Sequence, residues 1–266
     1  MIANVLSIAG VDPSGGAGIA ADLKTFSALG VFGTAVVTAV TAQNTRSVDA
    51  VHQLGGAVVG QQLDTLLADG RIDAGKIGML GTAEVIHAVA DAIRRHDLRN
   101  VVLDPVMVAK SGDRLLAEDA VVALREELIP LAHLITPNLP EAADLLDEPE
   151  ARDEEAMARQ LQRLTELARG VLLKGGHLGG PDSIDLLAVD GQVVRLSAAR
   201  VDTANTHGTG CTLSSAIAAL RPEAPHWEAA VRGAKDYLTG AIAAADQLDV
   251  GSGHGPVHHF HALWPQ

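Results

Sequence analysis

The feature that most constrains the fold is a sustained alternation of short apolar runs with longer stretches of helical periodicity. Apolar runs occupy residues 5–9, 35–40, 74–77, 101–103, 134–135 and 171–173. Helical patterns occupy residues 18–29, 58–67, 83–95, 119–128, 141–146 and 154–168, and again 212–220 and 227–245 near the end. Runs this short and this continuously apolar are expected of strands buried on both faces, as in a parallel sheet covered by helices. Residues 184–189 and 193–196, separated by Asp190-Gly191 and Gln192, read as a β-hairpin. The expectation is an α/β protein with a mostly parallel central sheet, helices on both faces and a small hairpin. No linker, repeat or low-complexity segment divides residues 1–266, so one domain is expected.

Composition adds limits. With 47% hydrophobic residues but three Phe, one Tyr and two Trp, the core has to be aliphatic. A single cysteine forbids an internal disulfide, and no basic region followed by an apolar run and cleavage site opens the chain, so a cytoplasmic location is expected. Residues 25–45 carry no charge apart from their flanks and match a membrane span in length. Gly30, Gly33 and several Thr interrupt them, however, so a helix end plus a buried strand is expected and no membrane partner. A net charge of −13 argues against a nucleic-acid surface but not against a nucleotide pocket, which needs only a few local donors and a metal ion.

In such sheets the ligand lies beyond the carboxyl ends of the strands. Glycines and polar residues gather there: Gly10 to Gly18, Thr41 to Asn44, Gly78-Met79, Asp104 to Val106, Thr136 to Asn138 and Lys174 to His177. Gly16-Ala-Gly18-Ile-Ala-Ala21 matches the loose dinucleotide fingerprint, but the second strand ends in Thr41-Ala-Gln-Asn44 with no acid to grip a ribose, which disfavours a nicotinamide oxidoreductase. No Walker-type phosphate loop is present. Asn138 and Glu141 follow one strand and open a helix. They suit Mg²⁺, directly or through water, and equally an ordinary helix start. Asp104 is a second acidic group for such a metal. Lys174, one of five lysines, suits a phosphate contact or a strand-edge charge.

The segment from Asp202 to Ser215 places two glycines, six side-chain hydroxyls and the only cysteine at the start of a helix. Gly208, Thr209 and Gly210 leave their N–H groups free to converge, and a helix N-terminus holds anions. Cys211 lies in the same field, where a thiol pKa is expected to fall toward neutrality. An anion cradle beside a base points to phosphoryl transfer; a glycine-softened loop with a structural cysteine is the plainer reading. His254, His258, His259 and His261 fit no standard zinc spacing and read as a packed C-terminal segment lining or covering the site.

Taken together, Ser7 to Phe26, Thr41 to Thr45, Lys76 to Leu80, Leu103 to Met107 and Lys110-Ser-Gly112 resemble the hydroxymethylpyrimidine/phosphomethylpyrimidine kinases of thiamine biosynthesis. So do Thr136 to Glu141, Leu173 to His177, Asn205 to Cys211 and Gly255 to His261. The resemblance spans essentially the whole chain, in order. It implies a ribokinase-like three-layer sandwich and two successive ATP-dependent phosphorylations, of 4-amino-5-hydroxymethyl-2-methylpyrimidine and of its monophosphate. By resemblance, Gln43 bonds the aminopyrimidine edge, with Gly10, Ala17, Asp22, Met79 and Val106 as the rest of that pocket. Gly208, Thr209 and Gly210 resemble the anion hole, with Lys174 nearby. Asn138 and Glu141 resemble the Mg²⁺ motif, and Cys211 stands at the position of the catalytic base. Ile19-Ala-Ala21 stands where many relatives carry a Gln. ATP and Mg²⁺ are the expected cofactors, the pyrimidine alcohol and its monophosphate the expected small-molecule partners, and a homodimer the expected assembly. Pyridoxal/pyridoxine kinase is the alternative within the same superfamily.

Overall fold

The computed structural model describes residues 1–107 and 116–264, so the Lys110-Ser-Gly112 motif lies outside the described residues. Nine strands form one sheet: β1 (Asn4–Val11), β2 (Phe32–Gln43), β3 (Val48–Gln53), β4 (Ala74–Ile77), β5 (Val101–Leu103), β6 (Leu134–Ile135), β7 (Val171–Lys174), β8 (Asp182–Val189) and β9 (Gln192–Ala199), in spatial order 3-2-1-4-5-6-7-8-9. The strands from β2 through β1 and β4 to β7 are parallel; β3, β8 and β9 add antiparallel edges.

Side chains alternate across a strand, and here they sort into two cores. Leu6, Ile77, Val101, Leu103, Val171 and Leu173 face one layer of helices: α2 (Gly56–Leu67), α3 (Ala83–His96), α4 (Glu118–Ala123), α5 (Leu139–Leu146) and α6 (Glu154–Leu164). Val5, Ala74, Val102, Leu134 and Leu172 face the other: α1 (Gly18–Ala28), α7 (Thr209–Leu220) and α8 (Trp227–Ala243). Helices on both faces of a mostly parallel sheet make the three-layer sandwich that the alternation predicts.

The differences from expectation have local causes. The stretch expected to be helical over 119–128 is α-helical only to Ala123, then takes a π turn at Leu124–Leu128 and a 3-10 turn at Ile129–Leu131. Pro130 has no N–H for the carbonyl four residues back, so the regular ladder cannot continue through it. β3 escapes detection because its residues, Val-Asp-Ala-Val-His-Gln, are exposed or only half-buried and give no continuous apolar run. The hairpin turns at Asp190 (φ 52°) and Gly191 (φ 76°), with Val189 paired to Gln192; two positive φ angles match the right-handed strand twist. Residues 25–45 resolve into the end of α1 and all of β2. Among the described residues no helix is long and apolar enough to cross a membrane.

Candidate active site

The order in which strands are added changes side at β1, with β2 on one side and β4 on the other, and a crevice opens beyond the strand ends at such a point. A cavity of about 780 Å³ lies there. Its lining includes Gly10, Ala17, Gln43, Met79, Val106, Asp104, Asn138, Glu141, Lys174, Gly208, Thr209, Gly210 and Cys211. Of the expected site residues, Asp22 alone is missing from that lining: it is fully buried, and its carboxylate is bonded to Lys76, Ser7 and Ser215. The resemblance placed it among the pocket residues; here it is bonded to Lys76 beneath them instead.

At one end of the cavity Asp12 shapes the loop after β1. Its Oδ1 accepts from the Ser14 N–H at 2.8 Å and its Oδ2 from the Ala17 N–H at 3.0 Å. His207 Nε2 lies 2.7 Å from the same Oδ2, and 3.4 Å from Gln43 Nε2. Burial alone raises the Asp12 pKa, but the bonds from His207 and Ser14 outweigh it and hold the carboxyl below its usual range. A His207 Nε2 that donates to Asp12 cannot also accept from Gln43, so the Gln43 amide N–H groups stay available to a ligand. Thr41 Oγ1 lies 3.3 Å from Gln43 Oε1 and steadies the other end of that amide. Sequence reading assigned no role to His207, although it sits inside the Asn205-Thr-His-Gly-Thr-Gly-Cys211 motif; the pairing with Asp12 spans 195 residues and leaves no local signal.

At the other end stands the start of α7. Its N-cap is Gly208, at φ 77°, and no side chain caps the helix, so the first-turn N–H groups face the cavity without a protein cap. Lys174 Nζ donates to Asp104 Oδ1 at 2.8 Å and lies 3.9 Å from Glu141 Oε2. A Cβ added at Gly210 would stand 3.3 Å from Lys174 Nζ and 3.4 Å from Asp104 Oδ2, which puts this charged trio against the first turn of α7.

Asn138 and Glu141 form a complete capping box on α5: Asn138 Oδ1 accepts from the Glu141 N–H and Glu141 Oε2 from the Asn138 N–H, both at 2.8 Å. Both readings of that pair therefore hold at once, since a helix start and an acidic cavity wall occupy the same residues. Burial raises the Glu141 pKa to about 7, against the pull of Lys174 and with the help of Asp104. Its folded pKa exceeds its unfolded value, so the stability it contributes is present below about pH 4.5 and is lost as pH rises through about 7. Glu141→Gln keeps the cap and removes that charge. It is expected to hold melting stability nearly constant from pH 5 to 8, where the parent loses ~1–3 kcal/mol. Thermal melts across that pH range check it; parallel curves for the two proteins would refute it.

Cys211 corrects a second expectation. Burial pushes its thiol up rather than down, opposed by the charge of Lys76 and by a hydrogen bond with the Gly18 backbone. The helix-start argument omitted desolvation, which a sequence does not show. Two further residues went unremarked. Lys235 and Asp185 form a buried pair at 2.6 Å in the cavity wall, and Asp185 Oδ1 also accepts from the Gly175 N–H. The histidines divide: His254 lines the cavity, whereas His258 and His259 are buried, His259 lying 3.2 Å from Thr212 Oγ1. Burial and nearby Lys24 depress the His259 pKa to about 3, so it packs as a neutral ring. A bridge between His207 and Pro256 ties this segment to the site.

Against known proteins, residues 12–258 match the model of the phosphomethylpyrimidine kinase family. The hydroxymethylpyrimidine/phosphomethylpyrimidine kinase of Escherichia coli is 55% identical over 262 residues, covering 98% of each chain. Among solved structures, an ADP complex of Bacillus subtilis pyridoxal kinase superposes with a TM-score of 0.91 at 35% identity, covering 98% of this chain and 99% of that one. The phosphomethylpyrimidine kinase of Clostridium difficile gives 0.79 at 39% identity, covering 90% and 99%. Backbone likeness thus favours one substrate name and sequence identity another, as expected when related sites share a scaffold. The family match across 12–258 and the 55% identity decide the matter: this chain belongs to the phosphomethylpyrimidine kinase family.

Proposed function

We infer that the protein transfers the γ-phosphoryl group of ATP to 4-amino-5-hydroxymethyl-2-methylpyrimidine and then to the resulting monophosphate, within thiamine biosynthesis. The observation that carries this reading is the uncapped start of α7, with Cys211 in its first turn, sharing one cavity with the available amide of Gln43. The reading takes residues 1–266 as one kinase domain, at work in the cytoplasm.

Gln43 presents a donor and an acceptor to the aminopyrimidine edge, and Gly10, Ala17, Met79 and Val106 enclose the ring. In the first transfer the hydroxymethyl oxygen bonds to the γ-phosphorus as the bond to the ADP oxygen breaks. Its proton passes to the Cys211 thiolate. The N–H groups of Gly208, Thr209 and Gly210 hold the equatorial oxygens, and Lys174 balances the charge that shifts toward ADP. In the second transfer the nucleophile is a phosphate oxygen, largely ionised at pH 7 because its second pKa is about 6. No base is needed there.

The donor set suits Mg²⁺ held partly by phosphates. Asp104 and Glu141 offer two carboxylates, too few for an all-protein cage, and such ions keep waters and take one or two carboxylates beside substrate oxygens. When bound, the ion would neutralise the β- and γ-phosphates.

ADP release measured with the alcohol, its monophosphate and pyridoxine tests the whole reading; a clear preference for pyridoxine would replace it. That second reading has the superposition on pyridoxal kinase in its favour. Gln43→Leu is expected to raise KM for the pyrimidine about tenfold, from the ~1–3 kcal/mol of one lost buried hydrogen-bonding group, and to leave KM for ATP alone. Steady-state kinetics with each substrate varied would show it, and an unchanged pyrimidine KM would remove Gln43 from recognition. A homodimer is part of the proposal, and light scattering measures it directly.

A further inference from the structure

Lys76 occupies the third position of β4, a strand whose four residues are all buried. Its side chain is wholly buried, and so is that of its partner Asp22. The ammonium donates to both Asp22 oxygens, at 2.9 and 2.8 Å. Ser215 Oγ donates to Asp22 Oδ1 at 2.6 Å and Ser7 Oγ to Asp22 Oδ2 at 2.5 Å, so the carboxylate is saturated. A buried ion pair is poor evidence of a stabilising device, because desolvating two charges offsets their attraction. Four elements, β1, β4, α1 and α7, nonetheless converge to hold this one.

The geometry shows where the charge is aimed. Ser215 lies four residues after Cys211 on α7, so the two share a face one turn apart. The carboxylate that orients Lys76 is therefore anchored directly below the first turn. A Cβ added at Gly78 would stand 2.8 Å from Lys76 Nζ, so the ammonium lies beside Gly78, just past the end of its own strand. An ammonium has three donors. Asp22 takes two, and among the described residues no hydrogen bond uses the third.

The charged groups facing Cys211 are Lys76 from β4, Asp22 from α1, Asp104 beyond β5 and Lys174 from β7. Lys174 donates to Asp104 at 2.8 Å and lies 3.9 Å from Glu141, on the side of the cavity where the phosphates are proposed to bind. Lys76 has one directly bonded anion, Asp22.

We infer that Lys76 is a positioning residue for the first phosphoryl transfer, its buried ammonium, anchored by Asp22, Ser215 and Ser7, supplying the fixed positive charge that stabilises the Cys211 thiolate. The catalytic part of this assignment rests on Cys211 being the base; the electrostatic part does not. Removing Lys76 alone would leave Asp22 buried and unpaired, so the test uses Lys76→Met with Asp22→Asn, which removes both charges and nearly conserves shape.

Cys211 is the only cysteine, so alkylation by iodoacetamide of the free, full-length protein reports on it alone. In the paired variant the rate–pH profile is expected to move to higher pH by about one unit, a tenfold slower reaction at a fixed pH below the thiol pKa. A folded variant, with a cooperative melt, that alkylates on the parental profile overturns the proposal. Should the paired variant not fold, Asp22→Asn alone decides: it leaves the cation less compensated, so alkylation should become faster at neutral pH, and a parental or slower profile sinks the idea. Kinetics separate this from the base assignment. If Lys76 acts through a catalytic thiolate, kcat for the alcohol shifts along the same pH axis and kcat for the monophosphate does not. A shifted alkylation profile with unshifted alcohol kinetics would remove Lys76 and Cys211 together from the reaction.

Discussion

Replacing Cys211 with alanine is expected to lower kcat for the pyrimidine alcohol by about 100-fold or more, the usual contribution of a positioned general base. The effect should be confined to one of the two steps. The alcohol keeps its proton at neutral pH and has to surrender it as the O–P bond forms, whereas the monophosphate attacks through an oxygen already ionised. The variant should therefore convert the monophosphate at close to the parental rate and accumulate nothing from the alcohol. The pH dependence follows from the same chemistry. Burial holds the thiol up, so the thiolate fraction, and with it the alcohol reaction, should rise as pH increases above neutrality, while the second step stays flat. Single-turnover assays with each substrate would measure both. Equal losses on the two substrates would mean that Cys211 supports the site by packing and carries no proton.

Gly208→Ala is the second large effect. Gly208 sits at φ 77°, and a Cβ there would fall 1.7 Å from the carbonyl oxygen of Gly16. The obstacle is backbone, so the loop after β1 and the start of α7 would have to separate. Those two segments carry the Asp12-organised turn and the uncapped first-turn N–H groups proposed to hold the phosphoryl oxygens. We expect a loss of ~1–3 kcal/mol in stability from the strain. Turnover should fall about 100-fold, the consequence of moving reacting groups by something like 1 Å. Gly30→Ala is the control: its φ is 76°, but nothing lies within 4 Å of its added Cβ. That variant shares the backbone penalty and should keep its activity. Melting curves and ADP release for the pair would separate collision from conformation, and an active Gly208→Ala would show that the two segments can part without consequence. Gly210 is a milder position, because its added Cβ meets the flexible end of Lys174 at 3.3 Å.

Much of the architecture was legible because it rests on local patterning. Short apolar runs become strands, their alternate residues choose between two cores, and glycine-rich and polar loops fall at the strand ends where a parallel sheet keeps its ligand. Asn138 and Glu141 were legible for the same reason: a capping box is a contact between residues three apart. Where reading failed for an element, the cause was a neighbour left out of account or a strand without a continuous apolar run. The π turn at Leu124–Leu128 needed the effect of Pro130 on its neighbours, and β3 had only exposed and half-buried residues to offer.

By itself, then, the sequence determined the three-layer scaffold and the family, and all but one of the site residues it named line the cavity, because periodicity and motif order are properties of neighbouring residues. Only the tertiary structure decided what the charges do. Asp22 turned away from the cavity to meet Lys76, 54 residues distant; His207 joined Asp12 across 195; and Cys211 acquired a raised pKa that no helix start forecasts. Burial and distant partners set the free energy of a charge, and neither exists until the chain has folded.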